Sequence, residues 1–194
     1  YVNPSGGGIH FYEDSFSFIF NSIIADNTVI YNPNSNDGIC QGGGIYLQSS
    51  YTDGNTNDIY PKVLLVNSVL SDNLAVYTDG SDHDNIAFSD LYLQDDFPQG
   101  RGVLVVSHSN VEGGIEAIDF GSVSSEAISC DTCFVHWEEG NIDEPSFFVD
   151  PENGDYTLQE GSPNIDSGTD LLVVEPWYDP WDWNWEDWIS GGWG

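Results

Sequence analysis

The chain has 194 residues, of which 33 are acidic and only two, Lys62 and Arg101, are basic, giving a formal charge of −31. A field of one sign on that scale repels phosphate, because binding nucleic acid or an anionic membrane requires cations that displace counterions, so neither is an expected partner. Disorder is excluded in turn by 39% hydrophobic and 14% aromatic side chains, far more apolar surface than disordered acidic segments carry.

This length fits one domain with an appended tail. No apolar run approaches the about 20 residues that a membrane helix requires, so membrane insertion is not expected. No secretory leader is legible at Tyr1 and the chain contains no Met, so it reads as a mature product or a fragment of a secreted or cell-surface protein. With two cations against 33 acids, salt bridges cannot hold the fold. Divalent cations, high salt or a cationic surface suit the charge. Calcium suits it best, since Asp, Asn and backbone carbonyls are hard oxygen donors. The competing reading is a solvated acidic surface adapted to saline surroundings.

Two internal matches organise the first half of the chain. Gly6-Gly7-Gly8-Ile9-His10-Phe11 aligns with Gly42-Gly43-Gly44-Ile45-Tyr46-Leu47, an offset of 36 residues. Phe18-Ile19-Phe20-Asn21-Ser22-Ile23-Ile24-Ala25-Asp26-Asn27 aligns with Leu64-Leu65-Val66-Asn67-Ser68-Val69-Leu70-Ser71-Asp72-Asn73, an offset of 46, with residue character kept throughout. The extra residues fall in a Ser/Thr/Asn/Asp-rich stretch around residues 50–58, the composition of a loop insertion. The apolar runs are short, rich in Val, Ile, Phe and Tyr, and broken by Gly, Asn, Asp and Ser, which predicts strands rather than helices.

The triple glycines permit a positive φ or a close backbone approach ahead of a strand. Asn21 and Asn67 are expected at equivalent bends, bonding backbone groups that leave the sheet and stacking on one another. Each repeat holds two apolar blocks and is read as about two coils of roughly 20 to 25 residues. An ordinary β-sandwich is the competing architecture. Next comes Asp79-Gly80-Ser81-Asp82-His83-Asp84, where oxygen ligands alternate along a turn; Asp79, Asp82 and Asp84 are the candidate calcium ligands. A fainter third copy reads Leu91-Tyr92-Leu93, then residues 103–114.

Cys130 and Cys133 form Cys-Asp-Thr-Cys and are read as a local disulfide, with Cys40 unpaired or pairing between chains. Redox and zinc roles are the alternatives, without a βαβ context for the first or a second ligand pair for the second. Asp150 to Asp155 around Asn153-Gly154 is a second, weaker calcium candidate, since a turn already explains it. Residues 175–194 hold six of the seven tryptophans at irregular spacing: Trp177, Trp181, Trp183, Trp185, Trp188 and Trp193. With Tyr178 they form a candidate assembly or ligand surface, since exposed Trp is rarely left unused.

The GGGI-aromatic and apolar-NSxxxxN patterns over approximately residues 5–120 resemble the right-handed parallel β-helix repeat family of bacterial secreted and surface proteins. Residues 145–168, running from Pro145-Ser146-Phe147-Phe148 to Asp166-Ser167-Gly168, look like the segment that closes many such solenoids. That resemblance implies last strands and turns with a buried Tyr and Leu; no recognisable sorting domain comes after them. The expected organisation is therefore an all-β, right-handed parallel β-helix over residues 1–170, closed at about 145–168, and a Trp-rich acidic tail over 171–194.

Related β-helices include lyases and hydrolases of polysaccharides, but such lyases need basic residues, and only Lys62 and Arg101 are present. Carboxylate pairs such as Asp95-Asp96 or Asp82 with Asp84 arise by chance among so many acids. His10, His83, His108 and His136 show no metal spacing. The expected function is a non-catalytic structural or adhesive protein that self-associates through its tail and solenoid ends. A glycan-binding module or a polysaccharide-cleaving enzyme is the alternative, with a glycan or cell-surface partner. Calcium is tested by calorimetry and chelation: uptake with a raised melting temperature is expected, and no heat with no change on chelation removes the metal from the account.

Overall fold

The computed structural model describes residues 6–12, 15–30, 42–49, 61–77, 80–82, 86–90, 103–119 and 135–170. Among them the architecture is all-β, with short 3-10 turns at Gly114–Ala117 and Pro151–Asn153. Strands β1 (Ile9–Tyr12), β2 (Phe16–Phe20), β3 (Ile23–Ala25) and β4 (Thr28–Ile30) are repeated in the same order as β5 (Ile45–Ser49), β6 (Lys62–Val66), β7 (Val69–Ser71) and β8 (Leu74–Tyr77). After β9 (Gly80–Asp82), a third set comprises β10 (Ile86–Asp90), β11 (Val103–Ser107) and β12 (Asn110–Val111). A fourth, shorter set is β13 (Ile118–Asp119) and β14 (Val135–Trp137), and the last strands are β15 (Phe148–Asp150) and β16 (Asp155–Leu158).

Strands β1–β8 and β10–β14 pair with their counterparts in the neighbouring repeats, while β15 and β16 pair with each other as an antiparallel hairpin. The sheets run β1-β5-β10-β13, β2-β6-β11-β14 and β3-β7-β12, and every pairing in them is parallel. A fourth sheet pairs β4 with β8 in parallel and then turns antiparallel into β9. The two sequence offsets are the pairing registers: Ile9 lies opposite Ile45, and Phe18 opposite Leu64.

Two expectations are corrected by this pairing. The apolar blocks of one repeat sit in different sheets, so a repeat is one layer with several sides, not two coils of roughly 20 to 25 residues. The first strand of the third copy is Ile86–Asp90, with Ile86 opposite Ile45, and not Leu91-Tyr92-Leu93, which lies outside the described residues. The glycine run that marks the first two copies is missing before Ile86, where Asp84 and Asn85 stand.

The inward rows are apolar and continuous. Ile9, Ile45, Ile86 and Ile118 form one row, Ile19, Leu65, Val106 and Trp137 a second, and Ile24, Leu70 and Val111 a third. All of them meet in one core cluster. Alternation along a strand turns every second residue inward, so a parallel register keeps like beside like from layer to layer.

The triple glycines divide the labour expected of them. Gly6 and Gly42 hold φ of 68° and 67°, the left-handed region that favours glycine. Gly7 and Gly43 are needed for close approach: a Cβ on Gly7 would lie 2.6 Å from the Gly43 carbonyl oxygen, and one on Gly43 would strike the Leu74 backbone. Leu65 is fully buried at the centre of its row. Leu65→Ala is expected to cost about 2–5 kcal/mol in urea denaturation, the range for a core cavity that cannot collapse; a smaller loss means the row relaxes around it.

Candidate functional site

The most ordered polar feature is the corner between the second and third sheets. The chain turns there through left-handed residues: Asn21 at φ 50°, Asn67 at 51° and His108 at 46°. Asn tolerates this region better than most residues, which accounts for the first two. The backbone N–H after each bend has left one sheet and not entered the next, so it needs a partner.

A serine hydroxyl supplies it. Ser22 N donates to Ser68 Oγ (3.2 Å), Ser68 N to Ser109 Oγ (3.1 Å), and Ser109 N to Asn141 Oδ1 (3.0 Å). Each hydroxyl in turn donates to the carbonyl two residues back: Ser22 to Phe20, Ser68 to Val66 and Ser109 to Ser107. A second ladder stands at the next corner, where Asn73 Oδ1 accepts from Asn27 N (3.2 Å) and Nδ2 (3.0 Å), while Asn73 Nδ2 donates to the Ile24 carbonyl (2.8 Å).

Asn67 does something else. Its Nδ2 donates to the Thr169 carbonyl (2.7 Å) and its Oδ1 accepts from Thr169 N (2.8 Å), so the amide imitates a strand neighbour for the segment after β16. The stacking expected of Asn21 on Asn67 is thus carried by Ser22 on Ser68 and by Asn27 on Asn73. Residues 144–170 bond to three different layers. Asn110 Nδ2 donates to the Glu144 carbonyl and to Asn164 Oδ1, Asn67 holds Thr169, and Tyr156 Oη donates to Asp26 Oδ2 (2.9 Å). That last bond raises the pKa of the Tyr156 phenol. Tyr156 and Leu158 are half-buried rather than buried, a correction to what the resemblance implied; Phe148, edge-on to Tyr156, is the buried residue of this hairpin.

Several of the described acids serve bends. Asp26 and Asp72 hold φ of 56° and 54°, and the Glu112 carboxylate accepts from Ser71 Oγ (2.9 Å) and Asp72 N (2.8 Å). In the weaker calcium candidate, Asp150 accepts both bonds from Asn153 Nδ2 and Asp155 accepts from Thr157, so the turn already uses these groups. Among the described residues no group of three His, Cys, Asp or Glu is placed to hold a metal.

Of the candidate calcium ligands, Asp82 has its backbone in β9, opposite Ala75. Asp79 and Asp84 lie outside the described residues. So do Cys40, Cys130, Cys133, the pair Asp95-Asp96, and Trp177, Tyr178, Trp181, Trp183, Trp185, Trp188 and Trp193. Sequence reasoning missed the serine ladder, although its signal stood in Asn21-Ser22, Asn67-Ser68 and His108-Ser109. Comparison with known protein families, curated proteins and solved structures finds no match to this chain.

Ser68 is buried and serves as both donor and acceptor in the ladder. Ser68→Ala strands the Ser22 N–H, and thermal denaturation is expected to show a loss of about 1–3 kcal/mol. Ser22→Ala, at the outer end of the ladder, is expected to lose less; equal losses would mean the hydroxyls act singly.

Proposed function

We propose that this chain is a right-handed parallel β-helix that works as a non-catalytic structural or adhesive element outside the cell, associating with further copies through the open end of its stack. The observation that carries this reading is the contrast between the first layer and the second. Strands β1, β2, β3 and β4 all lie at the edge of their sheets. Phe20 is 37% exposed where its partner Val66 is 3% exposed, Gly8 is exposed where Gly44 is buried, and Ile30 reaches 65%.

The ladders stop, among the described residues, on the same side. Among the described residues no N–H donates to Ser22 Oγ or to Asn27 Oδ1, although their counterparts Ser68 Oγ and Asn73 Oδ1 each accept one from the layer before. An edge that presents strands and unused acceptors is a template for another layer. Stacking of this kind is heterologous and propagates into an oligomer or filament. A net charge of −31 opposes it, so screening by salt or bridging by calcium favours association.

Sedimentation velocity over a range of protein and salt concentrations tests the reading. Species larger than the monomer are expected to grow with both, while Ser22→Lys, which blunts the edge as lysine does in natural sheets, is expected to keep the protein monomeric with its β circular dichroism intact. A wild-type monomer under all conditions overturns end-to-end association.

A further inference from the structure

The outward face of the second sheet is apolar, although it points away from the core. Val63 and Leu65 belong to the core cluster, so alternation turns Leu64 and Val66 to the other side, and Val105 stands opposite Leu64. These three are nevertheless 3%, 3% and 4% exposed and form a buried cluster of their own. Side chains that face outward and are shielded from water require a cover. The row through Leu64 runs from Phe18 to Val105 and His136. Burial lowers the pKa of His136, against the opposing effect of Glu138, which fits a face withdrawn from water.

The described chain ends beside this face. Thr169 is held on both sides by the Asn67 amide, and Asn67 directly succeeds Val66, the last residue of β6. Gly168 approaches Asn67 so closely that a Cβ there would lie 3.1 Å from Asn67 Oδ1. Beyond Asp170 the chain continues as Leu171-Leu172-Val173-Val174 and then the six tryptophans, interleaved with Asp179, Asp182, Glu186 and Asp187. Charge matches as well. Within the strands of this sheet no outward position is acidic, Glu138 lying just beyond β14, and one of these positions is Lys62, one of the two cations of the chain.

We propose that residues 171–194 dock on the outward face of the second sheet of their own chain, with their aliphatic and tryptophan side chains over Leu64, Val66 and Val105. The anchor at Asn67 delivers the segment to the edge of the face, so docking within the chain carries a small loop-closure cost, whereas a neighbouring copy must be recruited from solution. The tail is then an intramolecular cover rather than the connector between subunits. The inference does not rest on end-to-end association, although β2 contributes both to the open edge and, through Phe18, to the margin of this face.

Tryptophan emission of the full chain tests it, since six of the seven tryptophans lie in the segment, together with cleavage by a Glu-specific protease at Glu186. In the wild type, blue-shifted emission and slow cleavage are expected, both independent of protein concentration. Val105→Glu places a charge under the cover, and a red shift with faster cleavage is expected while β circular dichroism is kept. If Val105→Glu loses that signal, Phe18→Glu on the edge strand, where Phe18 is 39% exposed, asks the same question at lower structural cost. Solvent-like emission and rapid cleavage in the wild type overturn docking. Protection that grows with concentration shows docking on a second copy instead, and variants that fold but leave both readouts unchanged place the tail elsewhere.

Discussion

The fold depends on satisfying backbone groups at its corners. Strands in a stacked parallel arrangement satisfy one another, but a chain that leaves one sheet to enter the next releases an N–H at every bend. Here that N–H points at the serine hydroxyl of the neighbouring layer, through Ser22, Ser68 and Ser109 to Asn141. Because each hydroxyl also donates to a carbonyl of its own layer, it fixes the bend and the spacing between layers at once. The corner bonds thus act together with the parallel strand pairing that lines up the apolar rows inside. Removal of one hydroxyl therefore affects two layers.

The acidity of the chain becomes easier to understand against this geometry. With 33 carboxylates and two cations, charge cannot contribute cohesion by pairing. Several described acids instead sit where the backbone has something to donate or needs an unusual conformation: Asp26 and Asp72 at left-handed bends, Glu112 against the Asp72 N–H, Asp155 against Thr157. A carboxylate fed by backbone N–H groups is stabilised without a counter-charge. Cohesion is left to the core cluster, which contains no acid.

Asn141 and Ile142 add one more rung beside Ser109 and Asn110, and the segment from Glu144 onward then links distant layers. Its contacts run from Asn110 to Asn67 and Asp26, so it crosses the repeats instead of continuing them. Such a strap resists sliding between layers, because any shift of register breaks bonds at several heights together. It also brings Thr169 to the corner beside Val66.

The sequence by itself determined the strand content, the repeat and its registers, since an offset that aligns Phe18 with Leu64 and Ile9 with Ile45 is also the offset at which these residues pair. It announced the glycine run and the Asn bends as well, because conformational demands on single residues are local and leave local marks. It did not reveal that one repeat is one layer, since two apolar blocks in succession look alike whether they stack on each other or form two sides of a layer. The first strand of the third set, Ile86–Asp90, left no mark because a strand held by neighbours on both sides needs no signature of its own. The roles of Ser68, Asn67 and the outward face of Leu64 and Val105 were decided only by tertiary structure. A hydroxyl, an amide or an aliphatic side chain takes its partner from whatever lies across the layer, and residues 41 or 102 positions apart meet only after the chain has wound back upon itself.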